Sequence, residues 1–255
     1  MRASQMTQSQ AKAADALLAW YEAMGVDEAI GDVPVDRFAA PLVIAPPAAR
    51  PERKRSTPNP VQPAGPAAPT LQALQEMIAS FEDCALKRTA KTLCFARGSE
   101  AAKIMLIGEA PGRDEDLHGK PFVGRAGQLL DRMLAAIGLD ESQVYITNTV
   151  YWRPPGNRTP TPQEALVCRP FLERQIELVG PKLILTLGGP ATKEILGLEE
   201  GIMRLRGKWR DFPASSAPLR VMPTLHPAYL LRSPAAKRMT WRDLLALKTA
   251  LDAKT

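Results

Sequence analysis

The sequence predicts an α/β fold on a mostly parallel sheet covered on both faces. Three observations carry that prediction. Four short apolar runs recur at 103–109 (KIMLIGE), 144–150 (VYITNTV), 182–188 (KLILTLG) and 220–226 (RVMPTLH), each reading as a strand buried on both sides. Stretches with helical spacing of apolar residues separate them. Glycines, a carboxylate, an amide and an imidazole stand at the ends of the runs, where such sheets gather functional residues.

Taken in chain order, residues 9–30 have helical periodicity, with Leu17, Leu18, Tyr21 and Met24 on one side and Gly25 as a stop. Residues 41–70 hold nine prolines, a composition that cannot bury a core and reads as an extended, disordered Pro/Ala linker. The basic cluster RPERKR at 50–55 reads as solvated linker charge. The chain thus divides into an N-terminal helical appendage (1–40), a linker (41–70) and a main domain (71–255). After the first strand, residues 126–139 place Leu129, Leu130, Met133, Leu134 and Ile137 on one helical face, with Gly138 as the stop. Helical stretches at 162–180, 189–197 and 240–254 follow the second, third and fourth strands.

Bulk properties narrow the class. At 255 residues and 45% apolar content the chain can bury a full-size core. No apolar run approaches the roughly 18 residues that span a bilayer, and the first residues lack a signal-peptide core. A soluble, cytoplasmic protein with no membrane partner is expected. Three cysteines argue against a secreted disulfide framework. The net charge of +6 comes wholly from beyond residue 70 and suits a polyanionic partner without requiring one.

The strand ends carry the chemistry. After the first comes GEAPGRDED (108–116), where Gly108 and Gly112 let the backbone pass close to a ligand. Glu109 stands where a general base or electrostatic stabiliser would stand; the acids at 114–116 equally suit a helix N-terminus. Phe122 sits in a glycine-flanked loop, as a core plug or as a platform for a base. The second strand ends at Asn148 and runs into a stiff, proline-rich loop with Arg153, Asn157 and Arg158. His226 closes the fourth, ahead of PAYLLRS, and on its own supports a functional and a structural reading equally. Together these groups describe a pocket that reads a flat, hydrogen-bonding ring and stabilises developing charge.

Four segments, GEAPGRDEDLHGKPFVGRAGQLLDRML, VYITNTVYWRPPGNRTPTPQE, RLRGKW and HPAYLLR, resemble the family 4 uracil-DNA glycosylases, in order over roughly residues 80–250. The resemblance implies a three-layer α/β/α sandwich on a four-stranded, mostly parallel sheet. It implies a DNA-repair hydrolase that flips uracil from DNA, cleaves its N-glycosidic bond and leaves an abasic site. Glu109 then matches the acid that positions or activates water, and His226 the imidazole that bonds uracil O2 as negative charge develops. Phe122 matches the aromatic that stacks on uracil, and Asn148 the amide that reads its polar edge. Gly108, Ala110 and Gly112 form the substrate loop, and Glu115 matches an acid beside the C5 edge. Leu230 falls in the segment that wedges into the duplex. Arg204, Arg206 and Lys208 would hold phosphates, with Arg153, Arg158 and Arg232 as further DNA contacts.

The sequence departs from the family at the iron–sulfur ligands. The family usually binds a [4Fe–4S] cluster through four cysteines. Cys84 and Cys168 match two of those positions, while Phe81 and Trp152 occupy the other two. Phe and Trp cannot ligate iron and are large enough to fill the volume, so no cofactor is expected. The alternative is a three-thiolate cluster that recruits Cys94. Two other functions stay open: a relative with altered base preference, for hypoxanthine or a xanthine-like lesion, and a non-catalytic DNA-binding or partner-recruiting protein. A monomer is expected, with a protein partner for the N-terminal helix left open.

Overall fold

A computed structural model describes residues 66–213 and 218–253. The helix expected at 9–30 and the linker up to residue 65 lie outside the described residues. Six strands form one sheet: β1 (Arg97–Gly98), β2 (Ile104–Gly108), β3 (Val144–Asn148), β4 (Leu183–Leu187), β5 (Arg210–Pro213) and β6 (Pro218–Thr224). Their order is β1-β3-β2-β4-β6-β5. The four central strands are parallel; β1 and β5 pair antiparallel at the edges. The four apolar runs are therefore strands where expected, and the α/β class holds. The strand count is corrected from four to six, because the edge strands are too short to show a period.

Every residue of β2, β3 and β4 is buried. Successive side chains of β2 divide between two apolar clusters, Met105 and Ile107 in one and Ile104 and Leu106 in the other, as the pleat requires. The first cluster is closed by α1 (Leu71–Ser80) through Leu74 and Ile78, and by α4 (Pro162–Val179) through Phe171, Leu172 and Ile176. The second is closed by α3 (Arg125–Ala135) through Leu130 and Leu134, and by α8 (Lys237–Asp252) through Leu244 and Leu247. Helices on both faces make the three layers. Among the described residues there are four shorter α-helices as well: α2 (Arg113–His118), α5 (Gly189–Leu196), α6 (Ile202–Leu205) and α7 (Pro227–Arg232).

Local chemistry sets the helix ends. Thr161 and Glu164 form a capping box at the start of α4, with Pro162 in the first turn and Gly180 left-handed beyond its end. Thr70 Oγ1 caps α1 by accepting from the Ala73 amide at 3.1 Å. Just upstream, inside the stretch whose composition suggested linker, Ala68 is buried, and its carbonyl accepts from Arg174 Nε and Nη2 at 2.9 and 2.8 Å. Among the described residues no helix is long and apolar enough to cross a membrane.

The strand order positions the site. From β2 the chain moves to β3 on one side, then returns past β2 to β4 on the other. Such a reversal opens a crevice at the carboxyl ends of the strands, here between β2 and β4.

Candidate active site

A cleft of about 640 Å3 opens at that crevice. Glu109 and Ala110 after β2, Asn148 at the end of β3, Gly188 after β4 and His226 after β6 all line it. Gly112, Glu115, Phe122, Arg158 and Arg232 line it too. Residues from distant parts of the sequence thus converge on one space.

Gly108, at the end of β2, does not itself line the cleft but lies against two residues that do. A Cβ there would lie 2.4 Å from Asn148 Oδ1 and 2.5 Å from Phe122 Cζ, so only glycine lets the amide and the ring meet over the backbone. Asn148 is buried, and neither its Oδ1 nor its Nδ2 has a hydrogen-bond partner among the described residues. A buried amide without partners is destabilising by about 1–3 kcal/mol, and a ligand with a matching acceptor and donor would relieve that.

Phe122 is held rather than flexible. Its φ of +55° is left-handed, an outlier for a bulky side chain. Gly127 in α3 makes room for this backbone, since a Cβ there would lie 1.6 Å from the Phe122 carbonyl oxygen. Glu115 ties the loop down, accepting from the Gly112 amide at 3.1 Å and the Gly124 amide at 2.9 Å. The Phe122 ring packs against the His226 ring at 5.6 Å between centroids. The acids of GEAPGRDED thus divide their work. Glu109 faces the cleft, Glu115 fixes two loops, and buried Asp116 accepts from the amides of Lys91 and Thr92.

His226 lies two residues beyond β6, which ends at Thr224, and caps α7. Its Nδ1 accepts from the Ala228 amide at 3.1 Å. A backbone N–H can only donate, so Nδ1 carries no proton and Nε2–H is the ring's free donor. Burial holds the imidazole down at about 4, and nearby Arg232 adds to the effect. The ring keeps some contact with the cleft, yet the surrounding protein disfavours its charged form. His226 is therefore a neutral donor at neutral pH.

Two expected DNA contacts are corrected. Leu230 is 1% exposed and packs with Leu129, Leu225 and Ala236, so it is core in this structure and not a wedge. Tyr229, one position earlier, is 38% exposed and lines the cleft, as does Met203, 54% exposed, on α6. Arg206 is not a free phosphate ligand. It pairs with buried Asp243 and donates to the Met239 carbonyl, while Thr224 also donates to Asp243. Arg204, Lys208 and Arg232 are exposed. Arg158 makes a two-point contact with Glu164 at 2.7 and 2.8 Å, which holds that carboxyl down at about 2. Arg153 donates to Asn157 Oδ1 at 2.7 Å.

The residues at the family's cluster positions do not fit a four-thiolate cluster. Cys84 and Cys168 are wholly buried and in direct contact, Sγ to Sγ 3.9 Å. Trp152 is buried against Tyr151, and Phe81 packs edge-on against Phe171 at 4.9 Å. Cys94 is directed elsewhere, donating to the Glu115 carbonyl at 3.1 Å. Among the described residues no group of three or more His, Cys, Asp or Glu side chains is arranged to hold a metal ion.

A three-layer α/β protein with an orphaned amide, a stacked aromatic and a neutral imidazole at its switch point has the parts of a base-reading hydrolase. Residues 95–245 match the Uracil DNA glycosylase superfamily. The type-4 uracil-DNA glycosylase of Saccharolobus solfataricus is 40% identical over 189 residues, covering 72% of this chain and 88% of that protein. The Archaeoglobus fulgidus type-4 enzyme is 42% identical over 65% of this chain and 85% of its own length. That of Thermotoga maritima is 37% identical over 70% and 93%. The chain belongs to the uracil-DNA glycosylase superfamily, among its type-4 members.

Sequence reasoning gave no role to several cleft residues, Gly188, Tyr229 and Met203 among them. Gly188, at φ +94°, lets the β4–α5 turn approach His226, whose Cβ would lie 3.0 Å from a Cβ placed there. Its place at a strand end was the available signal. Tyr229 and Met203 had none, because spacing within a short segment does not say which side chain is buried.

Proposed function

We propose that the chain excises uracil from DNA, as a monomer, in the cytoplasm. The observation that carries this reading is the Asn148 amide, buried in the lining of the cleft and unpartnered among the described residues. Its Oδ1 can accept from uracil N3–H and its Nδ2 can donate to uracil O4. Cytosine reverses that pattern and leaves both atoms unpaired, at about 1–3 kcal/mol each. Phe122 supplies a face for the ring. His226 Nε2–H donates to O2 as uracil departs as an anion, and Glu109 favours the cationic sugar and holds water on its opposite side. The imidazole starts neutral, so charge on the leaving group is met by a hydrogen bond without moving a proton first.

Tyr229 and Met203, the exposed apolar side chains at the rim, fill the space left by the flipped nucleotide in place of Leu230. Arg232, exposed at the same rim, holds a phosphate. The chemistry needs no metal, and the aromatic packing at Phe81 and Trp152 supports a protein that works without an iron–sulfur cluster. The activity resides in the main domain, so a chain starting at Pro66 retains it. The N-terminal segment is left for a partner.

The test is incubation with oligonucleotides containing uracil, hypoxanthine or xanthine, followed by alkaline cleavage of abasic sites. Cleavage confined to the uracil strand is expected. Cleavage at a purine lesion instead would establish altered base preference, and binding without cleavage a non-catalytic protein. Iron analysis after anaerobic purification tests the cofactor reading: a colourless, iron-free protein is expected, and stoichiometric iron would overturn it.

A further inference from the structure

We infer that Cys84 and Cys168 are a redox modification site: the buried thiol pair closes into a reversible disulfide that staples the segment after α1 to helix α4. The inference rests on the cluster-free reading above. Cys168 donates its S–H to Cys84 across 3.9 Å. Both are wholly buried, and neither lines the cleft. A disulfide requires the sulfurs to close from 3.9 Å to about 2.05 Å.

The surroundings choose between the two fates open to such a pair. Two thiolates on a monovalent soft cation would place net negative charge among Tyr151, Trp152 and Phe171, and burial of an unpaired charge is costly. A third ligand is missing among the described residues. A disulfide is neutral and apolar, which suits this packing. The geometry also assigns the roles. Cys168 donates its S–H to Cys84, so negative charge is better held on the Cys84 sulfur than on that of Cys168. Cys84 is therefore the attacking sulfur and Cys168 the resolving one. Cys94 stands apart, bonded to the Glu115 carbonyl and pushed up to about 12 by burial.

With hydrogen peroxide as oxidant the step balances. The Cys84 thiolate attacks one peroxide oxygen and the O–O bond breaks. With one proton taken up, this yields a sulfenic acid and one water. Cys168 sulfur then displaces the sulfenic oxygen, which leaves as a second water carrying the Cys168 proton. The two thiols are oxidised by two electrons and the peroxide is reduced by two. Because both sulfurs are buried, the reaction waits on local opening and is slow. The cross-link joins positions 84 residues apart and so restrains the unfolded chain strongly.

The full chain is treated with hydrogen peroxide, quenched and alkylated. The expected result is loss of two of the three alkylatable thiols, a mass lower by two hydrogens and a Cys84–Cys168 cross-linked peptide. The melting temperature should rise by roughly 5–10 °C. A phosphine reductant should reverse all four changes. Excision should stay within about twofold, since neither sulfur lines the cleft. Cys168→Ser should abolish the cross-link and the rise, and Cys94→Ser should keep both. A sulfinic acid on Cys84 without cross-link, or a disulfide through Cys94, would overturn the inference. Stoichiometric iron in the untreated protein would fail the cluster-free reading; iron-free protein that does not cross-link would fail this inference alone.

Discussion

The cleft and the Cys84–Cys168 region are built on opposite terms. In the cleft, a buried amide lacks partners, a phenylalanine holds φ +55°, and an imidazole is pushed down to about 4. In the thiol region, polar groups are matched and space is filled. Cys168 donates to Cys84, the Tyr151 hydroxyl donates to Gln175 at 3.0 Å, and Trp152, Phe81 and Phe171 pack around them. Unsatisfied groups and strain persist where a ligand can complete the structure; around the two thiols the polar groups of the described residues are paired and the space is filled. The two regions therefore answer differently to the same kind of perturbation: the first should lose rate and keep stability, the second the reverse.

Trp152→Ala should give the largest effect, a loss of about 3–5 kcal/mol in unfolding free energy from the vacated core volume. Denaturant unfolding measures it, and excision per folded molecule should stay within a few-fold. A variant that keeps its stability but loses activity would merge the two regions into one.

Glu109→Gln and His226→Ala should each lower single-turnover uracil excision by roughly 100- to 1000-fold, equivalent to about 2.7–4 kcal/mol, with little change in DNA affinity. Near-normal rates in both would remove the charge-stabilisation mechanism.

Tyr229→Ala should slow excision from duplex DNA by roughly tenfold while sparing single strands, because only the duplex leaves a gap to fill. Leu230→Ala should instead lower the melting temperature, as its burial requires. Swapped outcomes would restore Leu230 as the wedge.

The smallest effect concerns pH. With a folded pKa near 4, His226 stays neutral from pH 5.5 to 8, so the ratio of wild-type to His226→Ala excision should vary by less than about twofold. Stability shows the complementary sign. The depressed pKa means the unfolded chain binds the extra proton first. The neutral ring's contribution is present above about 6.5 and declines as pH falls from there toward 4. A ratio that collapses between pH 6 and 7 would show a cationic histidine at work.

The sequence by itself determined the parallel core of the sheet and three of the groups that meet in the cleft. A strand buried on both faces must be continuously apolar, so β2, β3, β4 and β6 announce themselves, and their ends mark Glu109, Asn148 and His226 for attention. The family resemblance also placed Trp152 and Phe81 at two positions that hold cysteine ligands in its members. Tertiary structure alone decided the rest. The edge strands β1 and β5 owe their existence to neighbours that offer hydrogen bonds, since two and four residues carry no period. Leu230 and Tyr229 are adjacent in sequence, and only the packing of α7 against Leu129 and Leu225 sends one inward and the other to the rim. Arg206 looked like a free cation until the fold brought Asp243, 37 residues away, against it. Whether a side chain is a contact for solvent, a ligand or the core depends on what the chain folds against it, and that partner is rarely its neighbour in sequence.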